Sequence, residues 1–298
     1  MELNIAFLNL PKTTTFQLKQ MGYNNVSDIE PNLIKEKFDV ETNLCVPETK
    51  SALEIYNEEL LNGCILSYNE KLDSVLLDAI IPKKITELAG ESGSGKTQVC
   101  FHLCISVQLP KWCGGMEGEA IYIDTNSNFA SHRVTELAED LIKKYNSIKS
   151  SVDVPYVEFD KTSILQHIYY IKICDVVELL ACIKQLENYL SGKQVRLIVI
   201  DSFAFIMRMV DLKDRKTLIS KILCDLRSLS RIHNLIVVIT NDFTTRVNKG
   251  ESYITPSLGD SFYHLINTRI LLSKKDSLFQ AKLEKNIIHG QKETSFYL

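Results

Sequence analysis

A chain of 298 residues, 45% hydrophobic and 24% charged, has the composition of a globular protein and is long enough for one large α/β domain plus a small one. Its formal net charge of −3 excludes a polycation that binds nucleic acid through overall charge, so any such contact has to come from local basic segments. Eight cysteines, none spaced C-x-x-C and with Cys100 and Cys104 at i, i+4 on one expected helix, read as buried reduced thiols rather than a metal site, which fits a reducing compartment, cytosol or nucleus.

The N-terminal run MELNIAFLNLP carries Glu2 where a signal peptide wants positive charge, and no small-residue cleavage site follows. No apolar run approaches a membrane span, so a soluble intracellular protein with no membrane partner is expected. Residues 1–60 read as a small helical domain plus linker. Phe16, Leu18, Met21, Val26, Ile29, Leu33 and Phe38 supply its apolar positions, broken at Met21-Gly22 and Glu30-Pro31 into two or three short helices. The acidic residues Asp28, Glu30, Glu36, Asp39 and Glu41 favour an interaction or packing domain over a DNA-contacting one. The polar stretch from Glu41 to Ser51, with Pro47, is the expected linker.

Residues 61–298 alternate short apolar runs with helical periodicity. Strands are expected at Ile85 to Leu88, Ala120 to Asp124, Ile168 to Ile173, Val195 to Asp201 and Leu235 to Thr240. Helices are expected near Lys96 to Val107, Val134 to Asn146, Val176 to Leu190 and Lys216 to Ile232. That alternation predicts an α/β fold with a mainly parallel sheet covered on both faces. Thr268 to Lys274, Leu278 to Leu283 and Thr294 to Leu298 then predict a strand meander on the sheet edge.

The first strand and helix flank GESGSGKTQ, in which Gly90, Gly95, Lys96 and Thr97 satisfy G-x-x-x-x-G-K-[ST] in the strand-turn-helix context that the phosphate loop needs. Glycines let backbone N–H groups converge on phosphate oxygens, and the following helix presents its free donors and positive dipole end to the same anion. The expected nucleotide-binding set is Gly90, Glu91, Ser92, Gly93, Ser94, Gly95, Lys96, Thr97 and Gln98. Lys96 is expected to reach the β/γ-phosphates and Thr97 to offer its hydroxyl to Mg²⁺. The run VRLIVID ends in Asp201, a second acidic metal position in a phosphate-loop fold. At the end of the second strand stand Asp124, Thr125 and Asn126, where a group that orients or deprotonates water belongs. The scattered histidines, His102, His167 and His264 among them, lack ligand spacing. Two basic segments follow later strands: Arg208, Lys213, Arg215 and Lys216 after Asp201, and Arg246 and Lys249 in a long polar loop after Thr240. Loops there are where α/β folds bind ligands, with a solvated charged surface as the alternative reading.

GESGSGKTQ, EAIYIDT, VRLIVIDSFAF and IVVITN, in this order, resemble the eukaryotic relatives of the bacterial RecA recombinase. SILQHIYYIKICDVVELL, AFIMR, TTRVNKGESYITPSLGDSFYHLINTRI and QKETSFYL are most similar to the C-type paralogue branch of that family. The resemblance covers residues 63 to 298 well and residues 1 to 60 weakly. It implies a RecA-like core and a nuclear ATP- and DNA-binding protein of homologous-recombination repair and meiotic recombination. Such a protein assembles with other recombinase paralogues, binds single-stranded or branched DNA, and loads or stabilises the recombinase. It also implies Lys96 and Thr97 on phosphate and Mg²⁺, Asp201 as metal position, Arg133 against the adenine, and residues 208 to 216 and 242 to 257 as DNA-facing loops.

The departures from the family pattern shape the functional expectation. Where the family has a catalytic glutamate, this chain has Asn126, an amide that binds water and cannot take its proton. Where many members have T-N-Q, whose glutamine senses the γ-phosphate, this chain has Thr240, Asn241 and Asp242. The F-x-x-A tetrapeptide that recombinases use to polymerise is absent, and no basic import tail is visible, so nuclear entry on a partner is expected alongside a cytoplasmic pool. The leading expectation is a recombination mediator whose ATP site acts as an assembly switch with weak hydrolysis. An active DNA-dependent ATPase that performs strand exchange, and a structural scaffold without turnover, are the alternatives.

Overall fold

The computed structural model describes residue 5 and residues 12–29, 49–150, 159–248, 251–286 and 290–297. The chain divides into two compact units, Met1–Leu60 and Leu61–Leu298.

In the first unit, helix α1 (Lys12–Gln20) buries Thr14 and Leu18 and ends where Gly22 takes φ +88°. A 3-10 turn follows at Val26–Asp28, with the Asp28 carboxylate accepting the Asn25 N–H at 3.0 Å. Helix α2 (Ala52–Leu61) opens on a capping box, in which Ser51 Oγ accepts the Glu54 N–H at 3.2 Å and Glu54 accepts the Ser51 N–H at 2.6 Å. Leu33, Phe38 and the expected linker through residue 48 lie outside the described residues.

The second unit begins with helix α3 (Glu70–Ala79), which sequence periodicity alone did not reveal, capped by Asn69 accepting the Leu72 N–H. The sheet strands are β1 (Ile85–Gly90), β2 (Glu119–Asp124), β3 (Ile168–Lys172), β4 (Val195–Asp201), β5 (Ile236–Asn248), β7 (Thr268–Lys275), β8 (Leu278–Lys285) and β9 (Lys292–Phe296). Among the described residues β6 (Glu251–Pro256) pairs with β5 and lies off the main strand order. Their order is β3-β2-β4-β5-β1-β7-β8-β9. Pairing is parallel from β3 through β7 and antiparallel from β7 to β9, which is the predicted mainly parallel sheet with a terminal meander.

Alternation along the strands divides the core into two layers. Ala120 and Tyr122 of β2, Leu197 and Val199 of β4, and Ile236 and Val238 of β5 face one layer. Helices α3, α4 (Lys96–Ser106) and α5 (Ser131–Lys149) pack there. Ile121 and Ile123, Ile198 and Ile200, and Val237 and Ile239 face the other, covered by α7 (Val176–Leu190), α9 (Leu212–Ile232) and α10 (Gly259–Leu265). Two short helices complete the order, α6 (Lys161–Gln166) before β3 and α8 (Phe203–Arg208) after β4.

The structure corrects the two expected basic loops. Residues after Thr240 are not a long irregular loop: β5 runs on to Asn248 and forms an antiparallel ribbon with β6, Arg246 opposite Tyr253. Thr and Val alternation favours that extension. The segment 208–216 is the end of α8, a three-residue connection and the first turn of α9, rather than a loop.

Candidate nucleotide-binding site

β1 lies between β5 and β7 with all six residues buried, so its C-terminal end delivers the phosphate loop to the middle of the sheet edge. Only glycine fits position 90, because a Cβ there would stand 2.2 Å from Leu272 O and 2.5 Å from Ser94 Oγ. Gly95 takes φ +92° at the N-cap of α4 and offers no side-chain cap. The first amides of α4 are thus left for an anion. Ser94 Oγ is buried with no hydrogen-bond partner among the described residues, a polar group that a phosphate oxygen would satisfy.

Lys96 is 8% exposed and its ammonium donates to Gly90 O and Glu91 O, both at 2.8 Å. Thr97 Oγ1 donates to Asp201 Oδ2 at 2.7 Å, so the two expected metal positions stand side by side. Strand parity explains the meeting: Asp201 falls on the face of Leu197 and Val199, the face that carries α4. Tyr122 OH and Thr240 Oγ1 also donate to the Asp201 carboxylate, at 2.7 and 2.6 Å. Burial, then the Asp201 charge, push the Tyr122 phenol above its ordinary range, which keeps it protonated as a donor.

A cleft of about 570 Å³ opens over this group, lined among others by Ser92, Gly93, Ser94, Gly95, Lys96, Thr97, Gln98, Asn126, Asp201, Arg208 and Asp242. Asn126 is exposed at its wall. Asp124, considered from sequence as a base, is buried and fully engaged. Its carboxylate accepts the backbone N–H groups of Asn126, Asn128 and Phe129 at 3.0 to 3.2 Å and the Tyr170 hydroxyl at 3.3 Å. It orders the turn that carries Asn126 and is not free to take a proton from water. Arg133 does not line the cleft; it bonds Gln98 Oε1 at 2.8 Å and Glu136 at 2.8 Å.

The basic residues separate. Arg208 lies in the cleft and binds Asp242 Oδ2 at 2.7 Å, while Arg215 donates to Val210 O and Arg208 O, holding the end of α8. Lys213 is exposed on the first turn of α9. Arg246 belongs to the β5 ribbon, and Lys249 lies outside the described residues.

Sequence reasoning missed a buried ionic group on the opposite face. Glu87, in the middle of β1, accepts Arg269 Nε at 2.5 Å and Asn241 Nδ2 at 2.6 Å, and Asn241 in turn accepts Ser257 Oγ at 2.7 Å. A glutamate within the all-buried run ITELAG was the signal, since such a charge demands a partner.

Parallel strands with helices on both faces, a phosphate loop at the central strand and a carboxylate two strands away define a RecA-like domain. The Rad51 family model matches residues 61–280. The chain is 35% identical over 253 residues to DNA repair protein RAD51 homolog 3 of Cricetulus griseus, covering 82% of this chain and 69% of that protein. It is 33% identical to the RAD51 homolog 3 of Dictyostelium discoideum, over 71% of this chain and 57% of that relative. It is 30% identical to the DNA repair and recombination protein RadA of Aeropyrum pernix, over 76% of this chain and 67% of that one. The chain belongs to the Rad51 family.

Proposed function

We propose that this chain is an ATP-binding component of DNA repair by homologous recombination that assembles with other Rad51-family chains, with nucleotide acting as an assembly switch rather than as fuel. The observation that carries the reading is an intact phosphate loop beside a disabled base position. Thr97 and Asp201 stand 2.7 Å apart, whereas Asn126 occupies the wall and Asp124 is consumed by backbone donors. The orphaned Ser94 hydroxyl and the uncapped α4 terminus fit a polyphosphate. Thr97 and Asp201 would hold Mg²⁺, which offsets phosphate charge.

Lys96 and the loop amides bind and orient the phosphates, and Asn126 positions water without deprotonating it. Loss of a general base typically costs about 10²- to 10⁴-fold in rate, while binding survives. Bound nucleotide then stabilises an assembled state by mass action. The open edge of β3 supports partner association: among the described residues no strand pairs its outer side. A groove of about 770 Å³ runs beside it, with Ile171, Ile173, Cys182 and Leu186 among its lining. The β5–β6 ribbon, with Tyr253 exposed opposite Arg246, is the proposed contact for single-stranded or branched DNA, through charge and stacking. Nuclear residence follows from that substrate.

The test is sedimentation of the chain mixed with other Rad51-family chains of its own organism, with ATP, with ADP and without nucleotide. Nucleotide-dependent hetero-oligomers are expected. A monomer under all three conditions contradicts the assembly switch.

A further inference from the structure

Alternation along β5 sends Asn241 to the buried ionic group and Asp242 to the opposite face, into the cleft. The Asp242 carboxylate bridges two cations there. Oδ1 lies 3.2 Å from Lys96 Nζ and Oδ2 lies 2.7 Å from Arg208 Nη2. The Lys96 ammonium donates hydrogen bonds to Gly90 O and Glu91 O, and Asp242 faces it as an ion pair. The protein thus carries its own anion on the lysine that a phosphate loop aims at the β/γ-phosphates.

We propose that Asp242 is a specificity-determining residue that discriminates against the terminal phosphate, so that the cleft retains a nucleoside diphosphate in preference to the triphosphate. This rests on the nucleotide-binding reading above and specifies which nucleotide the site favours. The loop amides, Ser94 Oγ and the α4 terminus bind phosphate without involving Asp242. A third phosphate brings further negative charge to the Lys96 ammonium, and so to within a few ångströms of a carboxylate that is only 27% exposed. Like charges at that distance in a half-buried site repel by at least the equivalent of a tenfold change in affinity. Arg208, 46% exposed, offsets the Asp242 charge only from its outer side. Triphosphate binding must therefore move Asp242 off Lys96.

The experiment is calorimetric titration of the full chain with ADP and with ATP, both with Mg²⁺, for the native protein and for Asp242→Asn, Asp242→Gln and Lys96→Ala. Asparagine keeps an oxygen for Arg208, and a thermal melt of each variant checks folding. The native chain is expected to bind ADP more tightly than ATP, and both Asp242 variants to shift the ratio toward ATP by about tenfold or more. Nucleotide binding gained only when Asp242 is replaced would overturn the proposal, because the native cleft would then retain neither nucleotide. A ratio that moves less than about threefold, with both nucleotides bound, overturns it, as does a shift toward ADP, which would mean Asp242 holds ATP through Mg²⁺. Absence of all binding to the native chain and to both Asp242 variants would instead remove the nucleotide site itself.

Discussion

Replacing Arg269 by methionine tests how the central strands are held. Glu87 is fully buried and Arg269 is 6% exposed, so neither charge reaches water. Burial raises the Glu87 carboxyl above its ordinary range, and Arg269 is the largest force opposing that rise, ahead of Asn241. Breaking a buried pair by removing one partner costs about 3–5 kcal/mol, because the remaining charge is left unpaired. Asn241 still donates to Glu87, which places the expected loss near the low end, about 3 kcal/mol at neutral pH. For a unit of this size that lowers the melting temperature by roughly 6–12 °C. The sign with pH follows from linkage. Glu87 in the variant has a folded value raised further above its unfolded one, so the native state holds the extra proton and stability falls as pH rises through that window. Urea unfolding at pH 5 and pH 7 should show the larger deficit at pH 7. Adding Glu87→Gln should recover most of it. A single variant within about 1 kcal/mol of the native protein at pH 7, or a double variant no better than the single, refutes the argument.

Asn126→Glu restores a carboxylate at the cleft wall and should raise ATP turnover by about 10²-fold, measured by phosphate release; no increase would place the defect elsewhere. Reversing Arg246 and Lys249 to Glu should weaken binding of single-stranded DNA and flatten its salt dependence, read by fluorescence anisotropy across a salt series. An unaltered isotherm would move the DNA surface off the ribbon. Burial, then Lys144 and Arg133, pull His102 down to about 4. The unfolded chain therefore binds the proton first, and this group removes stability as pH falls from about 6.5 toward 4, by about 3 kcal/mol at most. Urea midpoints of His102→Asn should be flatter across that window than those of the native chain.

The strands and the phosphate loop were legible because their signals are local. VRLIVID is buried whatever its neighbours, and GESGSGKT names its own geometry through Gly90 and Gly95. Asp201 was legible because it ends such a strand. The β5–β6 ribbon was not, since TTRVNKGESYITP reads as polar and its pairing depends on register across a turn. Nor were the contacts that define the cleft. Arg208 and Asp242 are 34 residues apart and meet only when β4 and β5 lie side by side, which places an apparent loop cation in the cleft over the phosphate loop. Asp124 looked free because sequence does not show the backbone donors of the turn that closes on it.

The measurement that tests the central claim most directly is ATP binding and turnover on one preparation of the full chain, with and without single-stranded DNA, beside Lys96→Ala. Mg²⁺-dependent nucleotide binding that is lost in Lys96→Ala, with negligible turnover whether or not DNA is present, is the predicted result. Brisk DNA-stimulated hydrolysis, or binding that survives the loss of Lys96, would contradict it.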